Sequence, residues 1–310
     1  MTRESRQSSP RPGGITATAR LLSAGLSTAE IRQLIRSGTL LPVRRGVYAH
    51  GLLADTAGDE PGHQLLSVAA ALAITGPRAA GIHYTAAGIH SLSLLGRRPE
   101  GVVTVTRPPH DRGSRTGPKG VLVHLAELPP EHVTVHRDVR ITSAARTVID
   151  LARTSSFTEG VVVTDSALHA GKTTKAELEG VIAYCRRWPG VTGARQAVAF
   201  SDARSESVLE SIARVVFHEH GLPAPDLQVW VGDDDVVIGR ADFLWRRYRT
   251  IGEADGAIKY ADPSRAAAQL ERDASLRDAG YEVVHFSWHR LCGRRPRLLP
   301  RSRPRYSAAA

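Results

Sequence analysis

Apolar residues near the start of the chain recur at helical spacing and then give way to short extended runs. Thr16 is placed to cap a helix through Ala17, Leu21, Leu22 and Ala24, and Gly25 ends it as glycines after helices do. Ser27 followed by Glu30 is a capping box for a second helix. Ile31, Leu34 and Ile35 give that helix one apolar face, while Arg32 and Arg36, one turn apart, share another. Gly38 stops it. Leu40 to Ala49 then reads as two short strands around Arg44-Arg45-Gly46.

Further along, His63 to Ile74 is apolar enough for a buried helix, and Val102–Thr106 and Val121–Leu125 alternate as strands. Ile141 opens a strand that turns into a helix capped by Thr142 or Ser143. A polar stretch, Ser201 to Ser205, reads as a hinge. After it the pattern is helix (205–220), three strands (226–231, 236–245 and 250–255), helix (264–279) and a last strand. The expected fold class is α/β with α+β character. The parts are a flexible arm (1–14), a small helical unit closed by strands (15–55), a mixed middle region (60–200), a C-terminal unit (203–291) and a tail (292–310).

Composition narrows the class. Of 310 residues, 42% are hydrophobic and 23% charged, ordinary for a globular chain. No run approaches the ~20 apolar residues of a membrane span, and the first residues lack the apolar core of a secretion signal. A cytoplasmic protein without a membrane partner is expected. Cys185 and Cys292 lie too far apart in sequence for a disulfide scaffold or a cysteine zinc site. The net charge is +10, and seven arginines between Arg290 and Arg305, with no carboxylate among them, supply most of it. Such a tail suits contact with a polyanion.

The second and third strands of the C-terminal unit carry the candidate chemistry. With a period of two, Arg240, Asp242 and Leu244 share one face, and Ile251, Glu253 and Asp255 share another. Paired as a hairpin, these strands bring Asp242 beside Glu253 and Asp255. Clustered carboxylates repel one another unless a cation lies among them, and Mg²⁺ prefers such oxygen ligands. Lys259 follows closely enough to steady developing phosphate charge. Elsewhere, His83, Arg146, Asp150 and Asp165 show no nucleophile–base spacing, and Arg146 and Asp150 read as a structural pair one helical turn apart.

Two helices followed by a basic hairpin form the pattern of a winged helix-turn-helix, whose second helix enters the major groove while the wing meets phosphate. The stretch AGLSTAEIRQLIRSGTLLPVRRGVYA resembles the winged-helix domain of AbiEi-type antitoxins of type IV toxin–antitoxin systems, and TSAARTVIDLA resembles the region that follows it there. The resemblance implies DNA contacts by Arg32, Arg36, Arg44 and Arg45, and a cognate toxin as partner. The set SESVLES, RADFLW, GEADGAIKY and LRDAGYEVVHFSW resembles very-short-patch-repair-endonuclease-like domains of the PD-(D/E)XK nuclease class. It implies a restriction-endonuclease-like mixed sheet with a site of Glu210, Asp242, Glu253, Asp255 and Lys259. Asp242, Glu253 and Asp255 would hold Mg²⁺, although Asp255 stands where that class carries lysine. The expected function is DNA binding with Mg²⁺-dependent cleavage of phosphodiester bonds. The alternative is a non-catalytic, antitoxin-like transcriptional regulator.

Overall fold

A computed structural model describes residues 14–50, 60–76, 78–96, 101–109, 120–137, 139–232, 237–255, 263–288 and 291. The expected arm before Gly14, Lys259 and the basic tail from Cys292 onward lie outside the described residues. Helices and mixed sheets make up the chain, so the class is α/β. Contacts divide it into two compact units, one of residues 1–92, 96–154 and 172–192, the other of 93–95, 155–171 and 193–310.

The first unit opens with strand β1 (Ile15–Ala17), where a helix cap was expected; Thr16 pairs with Tyr48 and caps nothing. Helix α1 (Thr18–Ser23) and helix α2 (Thr28–Arg36) follow, and α2 begins with the Ser27/Glu30 capping box. Strands β2 (Leu40–Arg44) and β3 (Val47–His50) form the hairpin, giving a three-stranded sheet in the order β1-β3-β2. Helix α3 (Glu60–Thr75) packs against all three of these strands. It also covers a second sheet with helix α4 (His83–Ile89). That sheet comprises β4 (Ala80–Gly81), β5 (Val103–Arg107), β6 (Val121–Leu125), β7 (Val133–His136) and β8 (Val139–Thr142), in the order β6-β5-β4-β8-β7. Val68, Ala71, Ile89, Val105 and Ile141 form its core. Because α3 serves both sheets, the boundary expected between residues 55 and 60 does not separate two cores.

Helix α5 (Ala144–Ala152) takes its cap from Ser143, whose hydroxyl accepts from the Arg146 N–H. Arg146 and Asp150 pair at 2.8 Å with both side chains 2% exposed, as the spacing predicts, and Arg153 joins Asp150 at 3.1 Å. Helix α7 (Lys175–Tyr184) packs on α5.

The second unit is a four-stranded sheet in the order β12-β11-β10-β9. Strands β9 (Asp226–Gly232), β10 (Val237–Trp245) and β11 (Thr250–Asp255) run antiparallel, and β12 (Glu282–Ser287) runs parallel to β11. Helix α9 (Val208–Glu219) covers one face through Leu209, Ile212 and Phe217, which meet Leu227, Phe243, Trp245 and Phe286. Helix α10 (Pro263–Asp278) joins β11 to β12 and covers the other face, where Leu276 meets Ala241, Leu244 and Ile251. Helix α6 (Phe157–His169) and most of α8 (Val191–Phe200) belong to this unit, not to a 60–200 domain. The expected hinge is packed structure. Ser201 and Ser205 are buried, and Asp165, held by Arg214 at 2.7 Å and Ser211 at 2.8 Å, accepts the Asp202 N–H at 2.8 Å.

Candidate functional site

Alternation holds on β11. Ile251 packs in the core with Leu276, Glu253 reaches Arg272 of α10 at 2.9 Å, and Asp255 approaches His285 of β12 at 2.9 Å. On β10 it fails. Ala241 and Leu244 lie in the core beneath α10, whereas Phe243 lies in the core beneath α9. The same break occurs on β9, where Leu227 belongs to the α9 side and Val229 to the α10 side. Between them Gln228 adopts a left-handed backbone, φ +54°. Such a conformation is costly for a residue with a Cβ and persists where the surroundings fix it. Arg240, Asp242 and Leu244 therefore do not share a face: Arg240 pairs with Glu206 beside the start of α9 at 2.8 Å.

Asp242 sits at the break. One carboxylate oxygen accepts the Ala254 N–H at 2.8 Å, so a side chain takes a ladder position that a backbone carbonyl normally fills. The other accepts from the Gln228 amide at 3.4 Å. That same Nε2 donates to Glu210 at 2.8 Å. Glu210 is brought there by its place in the first turn of α9, where its N–H donates to the Ser207 cap and its carboxylate accepts the Glu206 N–H at 2.9 Å. Burial, with Asp242 nearby, holds the Glu210 carboxyl above the usual carboxylate range. Among the described residues the buried side-chain oxygen of Gln228 has no hydrogen-bond partner. Among the described residues neither Glu210 nor Asp242 has an ion-pair partner.

The α10 side is compensated. Arg272 bridges Glu253 and the Arg240 carbonyl, and Gly239 leaves the space for it, since a Cβ there would lie 2.5 Å from the Arg272 Nε. His285 lies between Asp255 and Asp273, with Nε2 2.7 Å from Asp273. Its hydrogen bond to Asp255, aided by the one to Asp273, lifts its pKa to about 9 against the opposing effect of burial.

The structure thus brings Glu210 and Asp242 together through Gln228 and holds Glu253 and Asp255 with cations of their own. Among the described residues no three His, Cys, Asp or Glu side chains gather as a metal-binding group. The expected trio of Asp242, Glu253 and Asp255 is not such a group, because the strand break turns Asp242 into the β10–β11 ladder while Arg272 and His285 occupy the other two. Lys259 lies outside the described residues. Gln228 was not singled out in the sequence; its one signal there is a polar residue between Leu227 and Val229 in an apolar strand.

In the first unit, Arg32 and Arg36 are exposed on α2, and Arg45 is exposed at the hairpin tip. Arg44 differs from expectation: it is half-buried, its guanidinium donates to the Gly120 carbonyl at 3.4 Å, and burial lowers its pKa. His83 is held near pKa 4 by burial, its ring edge-on to His124 at 5.0 Å.

No family model matches the chain. Two curated relatives, Uncharacterized protein MT2308 and Uncharacterized protein Rv2248 from two strains of Mycobacterium tuberculosis, are each 32% identical over 143 residues, 46% of this chain and 53% of the relative. The chain therefore matches about half the length of these relatives. Among solved structures, the crystal structure of RV2827C protein from Mycobacterium tuberculosis aligns with a TM-score of 0.38 and 17% identity, covering 64% of this chain and 71% of that one.

Proposed function

We propose that the chain is a DNA-binding protein whose second unit cleaves phosphodiester bonds with a bound Mg²⁺. One observation carries this reading: among the described residues the buried Glu210 and the half-buried Asp242 share a single neutral amide and no cation. Two carboxylates so placed are costly unless a cation or a proton lies between them. The Gln228 side-chain oxygen, without a hydrogen-bond partner among the described residues, adds a third hard donor to the set, which fits an oxygen-seeking ion.

Glu210 and Asp242 would hold the ion, whereas Glu253 stays with Arg272 on the other face of the sheet. When bound, Mg²⁺ supplies Lewis-acid stabilisation of charge on the phosphoryl oxygens. Gln228 keeps both carboxylates in register, and the Glu206 N–H fixes the Glu210 carboxylate. In the first unit, Arg32, Arg36 and Arg45 would meet DNA phosphates.

The second reading, an antitoxin-like regulator with a cognate toxin, is favoured by the pairing of Glu253 with Arg272 and of Asp255 with His285, which leaves fewer ligands for a metal. No helix among the described residues is long and apolar enough to cross a membrane; a cytoplasmic location belongs to this proposal. The deciding experiment is a plasmid-nicking assay beside thermal melts with Mg²⁺ and with chelator. Nicking and a Mg²⁺-dependent rise in melting temperature support the nuclease. Neither, together with a DNA mobility shift in chelator, supports the regulator.

A further inference from the structure

The left-handed turn at Gln228 has an effect two residues along β9. A regular strand would carry Leu227, Val229 and Val231 on one face, but Leu227 packs beneath α9 while Val229 and Val231 pack beneath α10. Trp230 consequently emerges on the α9 side, opposite to where unbroken alternation from Leu227 would place it. Its cross-strand partner is Arg240, whose guanidinium meets Glu206 on that side and whose side chain is 40% exposed. Glu206 in turn donates its N–H to Glu210. Trp230 itself is 69% exposed on β9, an edge strand. An indole is normally tucked away, and neither core cluster of this sheet among the described residues includes this one.

Two residues of strand separate Trp230 from Gln228, roughly 6.6 Å at ~3.3 Å per residue. A flat group resting on the indole thus lies beside the Glu210–Asp242 pair. A flat anion is disfavoured on the indole, because Glu206, Glu210 and Asp242 make the metal-free surroundings acidic. A nucleobase is neutral and flat and stacks on an aromatic ring whatever its identity. We propose that Trp230 is a stacking platform for one unpaired base at the rim of the Glu210–Gln228–Asp242 site, so that the DNA engaged there is single-stranded or locally opened. The proposal rests on the nucleic-acid reading above and adds the substrate class.

The test is binding in chelator, which separates it from cleavage. Full-length protein is titrated with a fluorescent single strand, with the same sequence as a perfect duplex, and with a duplex carrying one bulged base. Trp230→Ala should weaken the single-strand and bulged complexes by about 5- to 140-fold, the range expected for one base–aromatic stack, and leave the perfect duplex unchanged. Trp230→Phe should restore most of the loss. Equal single-strand affinity for Trp230→Ala and wild type overturns the proposal. So does no single-strand binding by wild type, or an equal loss in both variants. Conversion of an oligomer to a monomer by Trp230→Ala, with DNA affinity unchanged, assigns the exposed Trp230 and Val237 to self-association and also overturns it. Base-dependent binding without nicking in Mg²⁺ leaves the platform standing and removes the nuclease reading.

Discussion

The two faces of the C-terminal sheet bury acid in different ways. Beneath α10, Glu253 is 2% exposed and Asp255 5%, and each meets a cation: Arg272 for the first, His285 for the second. On the α9 side Glu210 is 6% exposed, yet it and Asp242 meet each other through an amide. Glu210 is buried about as deeply as Glu253 and Asp255, while Asp242 is half-buried, so what compensates the buried charge distinguishes structure from chemistry. A carboxylate buried against arginine is a closed pair, as with Arg146 and Asp150 in the first unit. A buried and a half-buried carboxylate that share one amide, with no cation beside them among the described residues, leave a demand for positive charge.

The largest expected effect tests the closed side. Arg272→Met leaves Glu253 buried without its guanidinium and should cost about 3 kcal/mol in chelator, the lower range for breaking a buried pair, because Arg272 keeps some exposure. Mg²⁺ should then stabilise the variant more than wild type, since an ion can replace the lost charge. A melt within ~0.5 kcal/mol of wild type, ordinary for a surface change, would mean the pair is not what holds α10 on the sheet.

Next comes the open side. Glu210→Gln and Asp242→Asn should match or exceed wild type in chelator by up to ~1 kcal/mol, and should lose both the Mg²⁺ shift and any nicking. Glu253→Gln should instead lower the melting temperature in chelator, because it unpairs Arg272. Similar behaviour of all three variants in chelator would erase the distinction between the faces.

A smaller effect concerns pH. The folded pKa of His285, about 9, lies above its ordinary value near 6.5. Its contribution is therefore fully present below about pH 6.5 and is lost as pH rises through about 9. Denaturant titrations should show stability falling over that window, and His285→Gln should flatten the fall. A wild-type curve without slope there would remove the Asp255–His285–Asp273 bridge.

The smallest effect lies at the hairpin. Arg45→Ala should reduce the slope of log affinity against log salt for duplex DNA by about one and leave stability unchanged. Arg44→Ala should leave that slope nearly unchanged, because its guanidinium is turned to the Gly120 carbonyl. Equal slopes for both variants would return Arg44 to the DNA face.

Much of the fold was legible because its signals are local. The Ser27/Glu30 box, the strands at 121–125 and 250–255 and the Arg146–Asp150 spacing each depend on residues within a few positions of one another. Thr16 misled because a threonine before an apolar run is as good a strand residue as a cap, and Tyr48 on β3 decides between them. The supposed hinge at Ser201–Ser205 is polar because Asp165, Ser211 and Arg214 pair there, which only contact can reveal.

Local pattern was enough to single out the candidate side chains: period two on β11 puts Glu253 and Asp255 on one face, and the first turn of α9 holds Glu210. Their grouping came from packing between elements distant in the chain. The left-handed turn at Gln228 and the matching break at Asp242 reverse the alternation of two neighbouring strands, and no local pattern announces that reversal. Which carboxylates find a cation and which find each other follows from it, because charge compensation acts through space between elements that the chain order keeps apart.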